Sequence, residues 1–501
     1  MLRPEVLRLE RVSCKRDGML TLDNLEMTVL QGEIVGFEPV NSYGLSSLLR
    51  VILFNQPLYY GYVYYLEKKV NSWQDMRRTP NNIAVIGPRS SLVEGQTVMT
   101  NVFVLRRGFH QEILRPSLLR AQLEPFLSET GMHLDPDRYA DSLTPFERVQ
   151  AELLRAVVSG SHLVILREIG SVISEKELKE FHSILRHYAK KGMSFLYISP
   201  HFEELAQISE RVLIFSEGTV VASLLPDRVN SRSQGEQVAL TYSEEYHRKM
   251  VHHLRERTHE AGTDTLFEMR DICSGELQHL SLRVRRGEHL ALQCLDSQIY
   301  LDLVRLVKGE TRRWRGSIIL NGEPVSMTDD RRIAVITDRP DRTMLFDSMS
   351  YMDNLCFTSD RKVRGFWLKR GIRKSIRSEC EPILGAAAFS KRVRDLTDME
   401  KYELVYTRIL LQKPELVLII QPFKGADARL RQRIWELQEA LIDRGATLVL
   451  LAVNMADCLA IANRVIRIDG DMTIREYRED RFGELPLTIP LISLYEEESY
   501  E

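Results

Sequence analysis

One order of strand-like and helix-like segments occurs twice along this chain of 501 residues. Asn101 and Asn354 close the similar runs TVMTN and MSYMDN, and they lie 253 positions apart. Three further landmark pairs are Leu143 and Leu396 at 253 positions, Arg211 and Arg464 at 253, and Gly32 and Gly287 at 255. A spacing kept over four landmarks predicts an internal duplication, and two copies favour two similar domains over a solenoid.

Each copy contains apolar runs of strand length that are rich in β-branched residues. They are IAVIG, HLVIL and SFLYIS in the first copy, and IAVIT, LVLII and TLVLLAV in the second. Such runs predict strands that are buried on both faces of a mostly parallel sheet. Helical patterns such as PFERVQAELLRAVV and MEKYELVYTRILLQ lie between them. The alternation predicts an α/β fold in each copy.

The alternation is interrupted once, between Pro226 and about Gly262, where polar residues precede a charged amphipathic pattern. We therefore predict four segments along the chain. They are a first domain at 1–225, a linker with a charged amphipathic helix at 226–262, a second domain at 263–490 and an acidic tail at 491–501.

Composition excludes several classes of function. The formal net charge of −2 gives no global attraction to nucleic acid, and the basic run 361–377 is better explained as a solvated helix face. The sequence contains no run of 18 consecutive apolar residues, so it predicts no membrane span, and the N-terminus lacks the apolar core of a signal peptide. The six cysteines form no C-x-x-C pair, so neither a zinc motif nor a redox motif is indicated and a reducing cytoplasm fits.

The segment from Gly32 to Leu48 has the outline of a strand, a phosphate loop and a helix start. A working loop reads G-x-x-x-x-G-K-[ST], in which backbone N–H groups hold phosphates and the lysine reaches the terminal ones. Here Pro39, which has no N–H, stands for the first glycine, and Leu45 stands for the lysine. The residues of this vestigial nucleotide loop are Asn41, Gly44, Leu45, Ser46 and Ser47.

The second copy departs further from the phosphate-loop pattern. Tyr300 stands at the lysine position and is followed by Leu301, and no glycine occurs between Gly287 and Gly309. Asp296 lies where the helix should begin; aspartate is a good helix-capping residue, but its charge opposes phosphate.

With these motifs in place, both halves resemble ATP-binding cassettes. The pair is similar to the ATPase subunit of ribose/galactose/xylose-type sugar importers over nearly the whole chain. The resemblance implies two P-loop NTPase-like domains, each with a helical subdomain, that pair with each other around ATP and Mg²⁺. It also implies membrane permease partners and a cytoplasmic location on the inner face of the plasma membrane.

The signature motif of that family reads LSGGQ and touches the terminal phosphate bound by the opposing cassette. Leu143-Thr144-Pro145-Phe146-Glu147 and Leu396-Thr397-Asp398-Met399-Glu400 stand in its place. The hydroxyls of Thr144 and Thr397 could still donate. Phe146 and Met399, however, fill the space where the backbone must approach phosphate.

The family's magnesium-supporting strand ends in Asp-Glu. Arg167-Glu168 and Ile420-Gln421 stand there, so the metal loses its outer carboxylate in both halves. Glu168 is a residual base candidate, with an ion pair to Arg167 or another cation as the alternative. Gln421 has the shape of a base but cannot accept a proton.

The remaining family positions also differ: Pro88 and Asp338 replace the metal-sensing glutamine, and Pro200 replaces the switch histidine, with His201 one place late. Apart from the residual base candidate Glu168 and Gln421 at the matching position, we assign no catalytic residue and no metal site from the sequence. The leading hypothesis is a catalytically impaired transport subunit. The alternatives are a soluble scaffold or regulator with a regulatory protein partner, and an active ATPase driving carbohydrate import.

Overall fold

The computed structural model describes most of both predicted domains. The described residues are 3–16, 18–71, 81–103, 116–225, 262–357, 366–384, 389, 391–453, 455, 458, 459 and 461–485. They form two compact units, one within residues 3–225 and the other within 262–485. The predicted linker helix lies outside the described residues, as does the acidic tail, so these segment boundaries stay predictions.

The first unit contains two sheets. Its strands are β1 Glu5–Arg16, β2 Met19–Leu30, β3 Ile34–Pro39, β4 Tyr60–Tyr65, β5 Lys68–Lys69, β6 Ile83–Ile86, β7 Leu163–Arg167, β8 Ser194–Ile198, β9 Arg211–Ser216 and β10 Thr219–Leu224. The larger sheet has the order β10-β9-β3-β8-β7-β6 and is parallel except at the β9–β10 edge, while β2-β1-β4-β5 form a smaller antiparallel sheet. The helices are α1 Leu45–Phe54, α2 Val98–Phe103, α3 Pro116–Thr130, α4 Pro145–Val158, α5 Glu175–Lys190 and α6 Phe202–Ala206.

The second unit repeats this architecture. Its strands are β11 Thr265–Ser274, β12 Leu277–Arg285, β13 His289–Cys294, β14 Arg315–Leu320, β15 Glu323–Pro324, β16 Ile333–Ile336, β17 Leu416–Ile420, β18 Thr447–Ala452, β19 Arg464–Ile468 and β20 Ile474–Arg478. The sheet orders β20-β19-β13-β18-β17-β16 and β12-β11-β14-β15 match those of the first unit strand for strand. The helices are α7 Ser297–Val307, α8 Pro340–Thr343, α9 Tyr351–Cys356, α10 Phe366–Leu384, α11 Asp398–Gln412 and α12 Ala428–Asp443.

The central strands are buried as their apolar runs predict. Every residue of β8, β13, β17 and β18 is buried, because helices cover both faces of a parallel sheet. The predicted α/β fold with two tandem domains is confirmed. Since the carboxyl ends of parallel strands share one edge of a sheet, β3, β7 and β8 deliver the phosphate loop, the strand-end motif and the switch position of the first unit to one region.

The duplication extends to individual hydrogen bonds. The Asn101 side chain accepts from Val93 N at 2.7 Å and donates to Val93 O at 3.1 Å, and Asn354 forms the same pair of bonds with Phe346 at 2.9 and 3.0 Å. These two amides hold the turn before α2 and before α9. Asn101 and Asn354 therefore have a structural role in both units, which does not depend on nucleotide binding.

Among the described residues, no helix has the length and apolar character that crossing a membrane requires.

Candidate nucleotide sites

The first phosphate loop keeps its backbone shape. Gly44 precedes α1 with φ 80°, a left-handed conformation that favours glycine. A β-carbon at Gly44 would lie 2.3 Å from the carbonyl oxygen of Thr21 and 3.0 Å from Cα of Gly218. The glycine is thus required by the packing of the loop against neighbouring backbone, which explains why it remains when the lysine does not.

The side chain of Asn41 forms hydrogen bonds within the protein and is therefore not available to bind a phosphate group. Its side-chain nitrogen donates to Ser216 Oγ at 3.2 Å and to Glu217 Oε1 at 3.0 Å, and its oxygen accepts from Tyr43 N at 3.2 Å. Val40 N donates to the carbonyl of Phe215 at 2.9 Å. One backbone donor of the loop, Val40 N, and the side-chain nitrogen of Asn41 therefore hold the loop against β9 and the turn that follows.

Leu45 replaces the lysine with an apolar side chain that is partly buried against the core formed by β1, β2, β3 and α1. No side chain caps the start of α1, and within the described residues the hydroxyls of Ser46 and Ser47 form no hydrogen bond. The first N–H groups of α1 are thus free of any capping side chain. This helix start keeps its weak attraction for anions but has lost the cation that would strengthen it.

The second loop has the opposite arrangement, because its helix start is already filled by a carboxylate. Asp296 caps α7, and its Oδ1 accepts hydrogen bonds from Gln298 N at 2.8 Å and Ile299 N at 2.9 Å. These are the backbone donors that a phosphate would otherwise use. The sequence-based assignment of Asp296 as a helix cap is therefore correct.

Tyr300 extends across the place where a lysine would meet phosphate. Its ring packs against the core of the second unit, and its hydroxyl donates to the carbonyl of Leu451 on β18 at 3.4 Å. The side chain of Gln421 also hydrogen-bonds to this hydroxyl. Burial raises the pKa of Tyr300 well above its ordinary value, so the phenol stays neutral. A hydrogen bond thus links Tyr300, at the position of the phosphate-binding lysine, to Gln421, at the position of the catalytic base. Leu301 follows in the first turn of α7 and is partly buried.

Asp338, at the position of the metal-sensing glutamine, lies beside two lysines. Lys424 Nζ is 3.0 Å from its carboxylate and Lys308 Nζ is 3.7 Å away. Burial alone would raise the pKa of Asp338, but the two lysine charges outweigh it and hold the pKa below its ordinary value. This carboxylate is therefore charged and already neutralised by the chain.

The first signature position is a capping box. Thr144 Oγ1 accepts from Glu147 N at 3.2 Å, and Glu147 Oε2 accepts from Thr144 N at 2.8 Å, while Arg138 pairs with Glu147 Oε1 at 2.6 Å. Phe146 packs against the main core of the first unit. The start of α4 therefore presents a satisfied cap and a carboxylate in place of free backbone donors.

The second signature position repeats this device. Thr397 Oγ1 accepts from Glu400 N at 3.2 Å and donates to Glu400 Oε2 at 3.0 Å, and the same carboxylate accepts from Thr397 N at 2.8 Å. Lys391 pairs with the other oxygen of Glu400. Met399 is partly buried at the start of α11. The hydroxyl of Thr397, predicted as a potential phosphate donor, is thus occupied by a glutamate of its own helix.

The two strand ends keep one backbone geometry with different side chains. Glu168 has φ 50° and donates its N–H to Ile198 O at 2.8 Å; Gln421 has φ 43° and donates to Leu451 O at 2.7 Å. A left-handed non-glycine residue is uncommon, so this conformation is imposed by the strand-to-loop turn at both positions. Within the described residues Glu168 forms no ion pair, either with Arg167 or with another cation, so the alternative predicted for Glu168 is not observed.

A buried acid lies behind the first strand end. Glu204 on α6 is fully buried and accepts hydrogen bonds from the hydroxyls of Tyr197 and Ser199, the second at 2.9 Å. Burial raises its pKa, although both hydroxyl bonds and a bond from Gly170 N oppose the shift. His201 caps α6 at its N-terminal end without a side-chain cap bond. Sequence reasoning did not single out Glu204; a glutamate on the apolar face of a short helix was its only signal.

In each unit, a helix start that follows glycine or aspartate, a capped signature helix and a strand end with a left-handed residue follow one another along the chain, in the order of an ATP-binding cassette. Residues 22–170 match the ABC transporter family. The second unit repeats the sheet architecture of the unit that contains this match.

Nearly the whole chain is similar to ATP-binding proteins of ribose import. The relative from Clostridium perfringens strain 13, the ribose import ATP-binding protein RbsA, is 21% identical over 97% of this chain and 99% of its own length. A ribose import ATP-binding protein from Mesorhizobium japonicum is 24% identical over 94% of this chain and 93% of its own. The predicted resemblance to tandem cassette subunits of sugar importers is confirmed.

Solved structures of single cassettes match half of the chain. The protein cbiO1 from Clostridium perfringens, part of the ABC transporter complex cbiONQ, is 17% identical over 47% of this chain and 94% of its own, with a TM-score of 0.41. The ADP conformation of an ATP-binding cassette of an ABC transporter is 16% identical over 47% of this chain and 98% of its own, with a TM-score of 0.39.

Proposed function

We propose that this chain is an ATP-binding-type subunit of a carbohydrate importer that keeps the two-cassette body and has given up efficient ATP hydrolysis. One observation carries the proposal. Of the four helix starts that the phosphate loops and signature motifs would present to nucleotide, three already carry a cap that includes a carboxylate of the chain itself. Asp296 caps its helix directly, and Glu147 and Glu400 complete capping boxes in which Thr144 and Thr397 are the caps.

The expected loss of affinity is large. A hydrogen bond to a charged group contributes about 1.5–3 kcal/mol. Loss of the lysine bond at Leu45 or Tyr300, together with loss of even one backbone donor, therefore removes about 4 kcal/mol. Since about 1.4 kcal/mol corresponds to a factor of ten, ATP affinity is expected to fall about a thousandfold. A carboxylate at each signature helix then adds repulsion.

The residues present do not fit ATP with Mg²⁺ in the second unit. The position of the metal-supporting aspartate is Ile420, which offers no oxygen ligand, and the side chain of Gln421 hydrogen-bonds to Tyr300. In the first unit Arg167 takes the aspartate position and brings a positive charge to it. Glu168 alone retains the residue type of a general base, and we derive no hydrolytic step through it.

The partners that fit this proposal are membrane permease subunits, which would hold the chain peripherally on the inner face of the membrane. The support is the similarity to ribose import ATP-binding proteins along nearly the whole chain. The folded body, with its repeated sheets and buried cores, is kept in both halves, as assembly with a permease requires.

The test is co-expression of the full chain with permease subunits of a ribose-type importer, preferably from its own genome, followed by purification in detergent. We expect the chain to co-purify and the complex to release phosphate from ATP no faster than a detergent control. Turnover comparable to that of an importer ATPase with complete motifs, assayed in parallel, would overturn the impaired-subunit proposal. A chain that never binds the permease would favour the scaffold or regulator alternative.

A further inference from the structure

Three residues with metal-binding side chains meet on the hairpin of β11 and β12. They are Asp271, Cys273 and His279, and one ligand atom from each lies within 4.8 Å of the other two. His279 Nδ1 is 2.6 Å from Asp271 Oδ1, and the N–H of His279 donates to Cys273 Sγ at 3.3 Å. The carboxylate and imidazole are exposed, while the cysteine is 8% exposed.

Backbone irregularities create this meeting of side chains. Asp271 has φ 51° and His279 has φ 53°, both in the left-handed region. The pairing of β11 with β12 shifts register between Met269 and Ile272 and again between Ile272 and Ser274. Such bulges bend a strand and redirect side chains, so residues that regular pairing would separate come together here.

The first unit contains the same backbone with different chemistry, which provides an internal comparison. Arg11 with φ 49° and Asn24 with φ 44° occupy the left-handed positions on β1 and β2. The N–H of Asn24 donates to Ser13 Oγ at 3.0 Å, just as that of His279 donates to Cys273 Sγ. The hairpin therefore folds without any metal ligand.

The comparison isolates what is particular to the second unit. The first hairpin carries Arg11, Ser13 and Asn24, which together cannot bind a transition metal. At the corresponding three positions the second hairpin carries a carboxylate, a thiol and an imidazole. Because the fold does not demand these residue types, their joint presence calls for a different explanation.

We propose that Asp271, Cys273 and His279 bind a borderline transition-metal ion of the Zn²⁺ type. Zn²⁺ takes thiolate, imidazole and carboxylate ligands in tetrahedral geometry, and three protein ligands leave the fourth position for water or another donor. On binding, the Asp271–His279 hydrogen bond opens so that both groups face the ion, and the thiol of Cys273 loses its proton to solvent. This inference is independent of the proposed transport role.

The test is titration of the full chain, under a non-thiol reductant, with Co²⁺ and then with Zn²⁺ as competitor. Binding through the cysteine gives a thiolate-to-cobalt absorption band in the near ultraviolet, and Zn²⁺ should remove it. Cys273→Ser and His279→Asn introduce the residues that the first hairpin uses, so both variants should fold like the wild type, which far-ultraviolet circular dichroism checks.

We expect Cys273→Ser to abolish the band and His279→Asn to weaken Zn²⁺ affinity at least about tenfold. Cys14→Ser, which removes a buried cysteine of the first hairpin, is the matched control and should leave the band unchanged. A band that survives in Cys273→Ser, wild-type affinity in His279→Asn, or no saturable band in the wild type would each overturn the proposal.

Discussion

The carboxylate of Asp296 offers the sharpest perturbation of the second phosphate loop, because two substitutions separate its hydrogen bonds from its charge. Asp296→Ala removes the two bonds, of 2.8 and 2.9 Å, to Gln298 N and Ile299 N. Asp296→Asn keeps an oxygen that can accept both bonds and removes only the charge. Asparagine and aspartate are similarly good caps.

The magnitude follows from the environment of these donors. Replacement of a capping residue by alanine costs about 0.5–2 kcal/mol. Ile299 is 3% exposed, so its N–H would be left without a partner in a poorly hydrated place, which puts the cost near the upper end, at about 2 kcal/mol. For a unit of this size that corresponds to a fall in Tm of about 4–8 °C. Asp296→Asn should cost less than about 0.5 kcal/mol.

The assay is urea unfolding followed by tryptophan fluorescence, which reports mainly on the second half because Trp314, Trp367 and Trp435 all lie there. Sulfate provides a second readout. If the carboxylate occupies an anion-binding position, sulfate should stabilise Asp296→Ala more than it stabilises Asp296→Asn or the wild type. Equal stability of the alanine variant and the wild type, or no differential effect of sulfate, would refute the reasoning.

Two further predictions concern the first unit. Leu45→Lys should raise affinity for a fluorescent ATP analogue about tenfold or more, because the start of α1 has no capping side chain. Tyr300→Lys should not raise this affinity, because Asp296 still caps the start of α7. Fluorescence titration of both variants measures the difference, and equal gains in affinity would contradict the predicted asymmetry. Glu204 has a raised pKa in the folded state, so its contribution to stability is present below the unfolded-state pKa of about 4.3 and is lost as pH rises through the folded-state pKa. The unfolding free energy of Glu204→Gln should therefore decline less steeply between pH 5 and 8 than that of the wild type. A steeper decline in the variant would contradict this expectation.

The sequence predicted the strands, the duplication and the motif positions because each depends on local pattern. Runs such as HLVIL and LVLII became β7 and β17, and the assignment of Asp296 as a cap needed only its place before a helical pattern. Contacts between distant segments were not predictable in this way. The bond between Tyr300 and Gln421 depends on how α7 lies beside the end of β17, which no local pattern reveals.

The hairpin cluster was missed for a related reason. Cys273 was judged only by its distance along the chain from other cysteines, and no C-x-x-C spacing marked it. Asp271 and His279 join it through two register shifts, and a strictly alternating strand model would not have placed them together. A comparison of Asp271, Cys273 and His279 with the first-half residues at the same bulges would have been the one available signal.

The central claim is that neither half binds and hydrolyses ATP efficiently. Isothermal titration calorimetry of the full chain with ATP, with and without Mg²⁺, tests this claim most directly when phosphate release is measured on the same sample. The account predicts no saturable binding in the micromolar range, no gain in affinity on adding Mg²⁺ and no phosphate release above the buffer rate. Micromolar affinity that depends on Mg²⁺, accompanied by turnover, would contradict it.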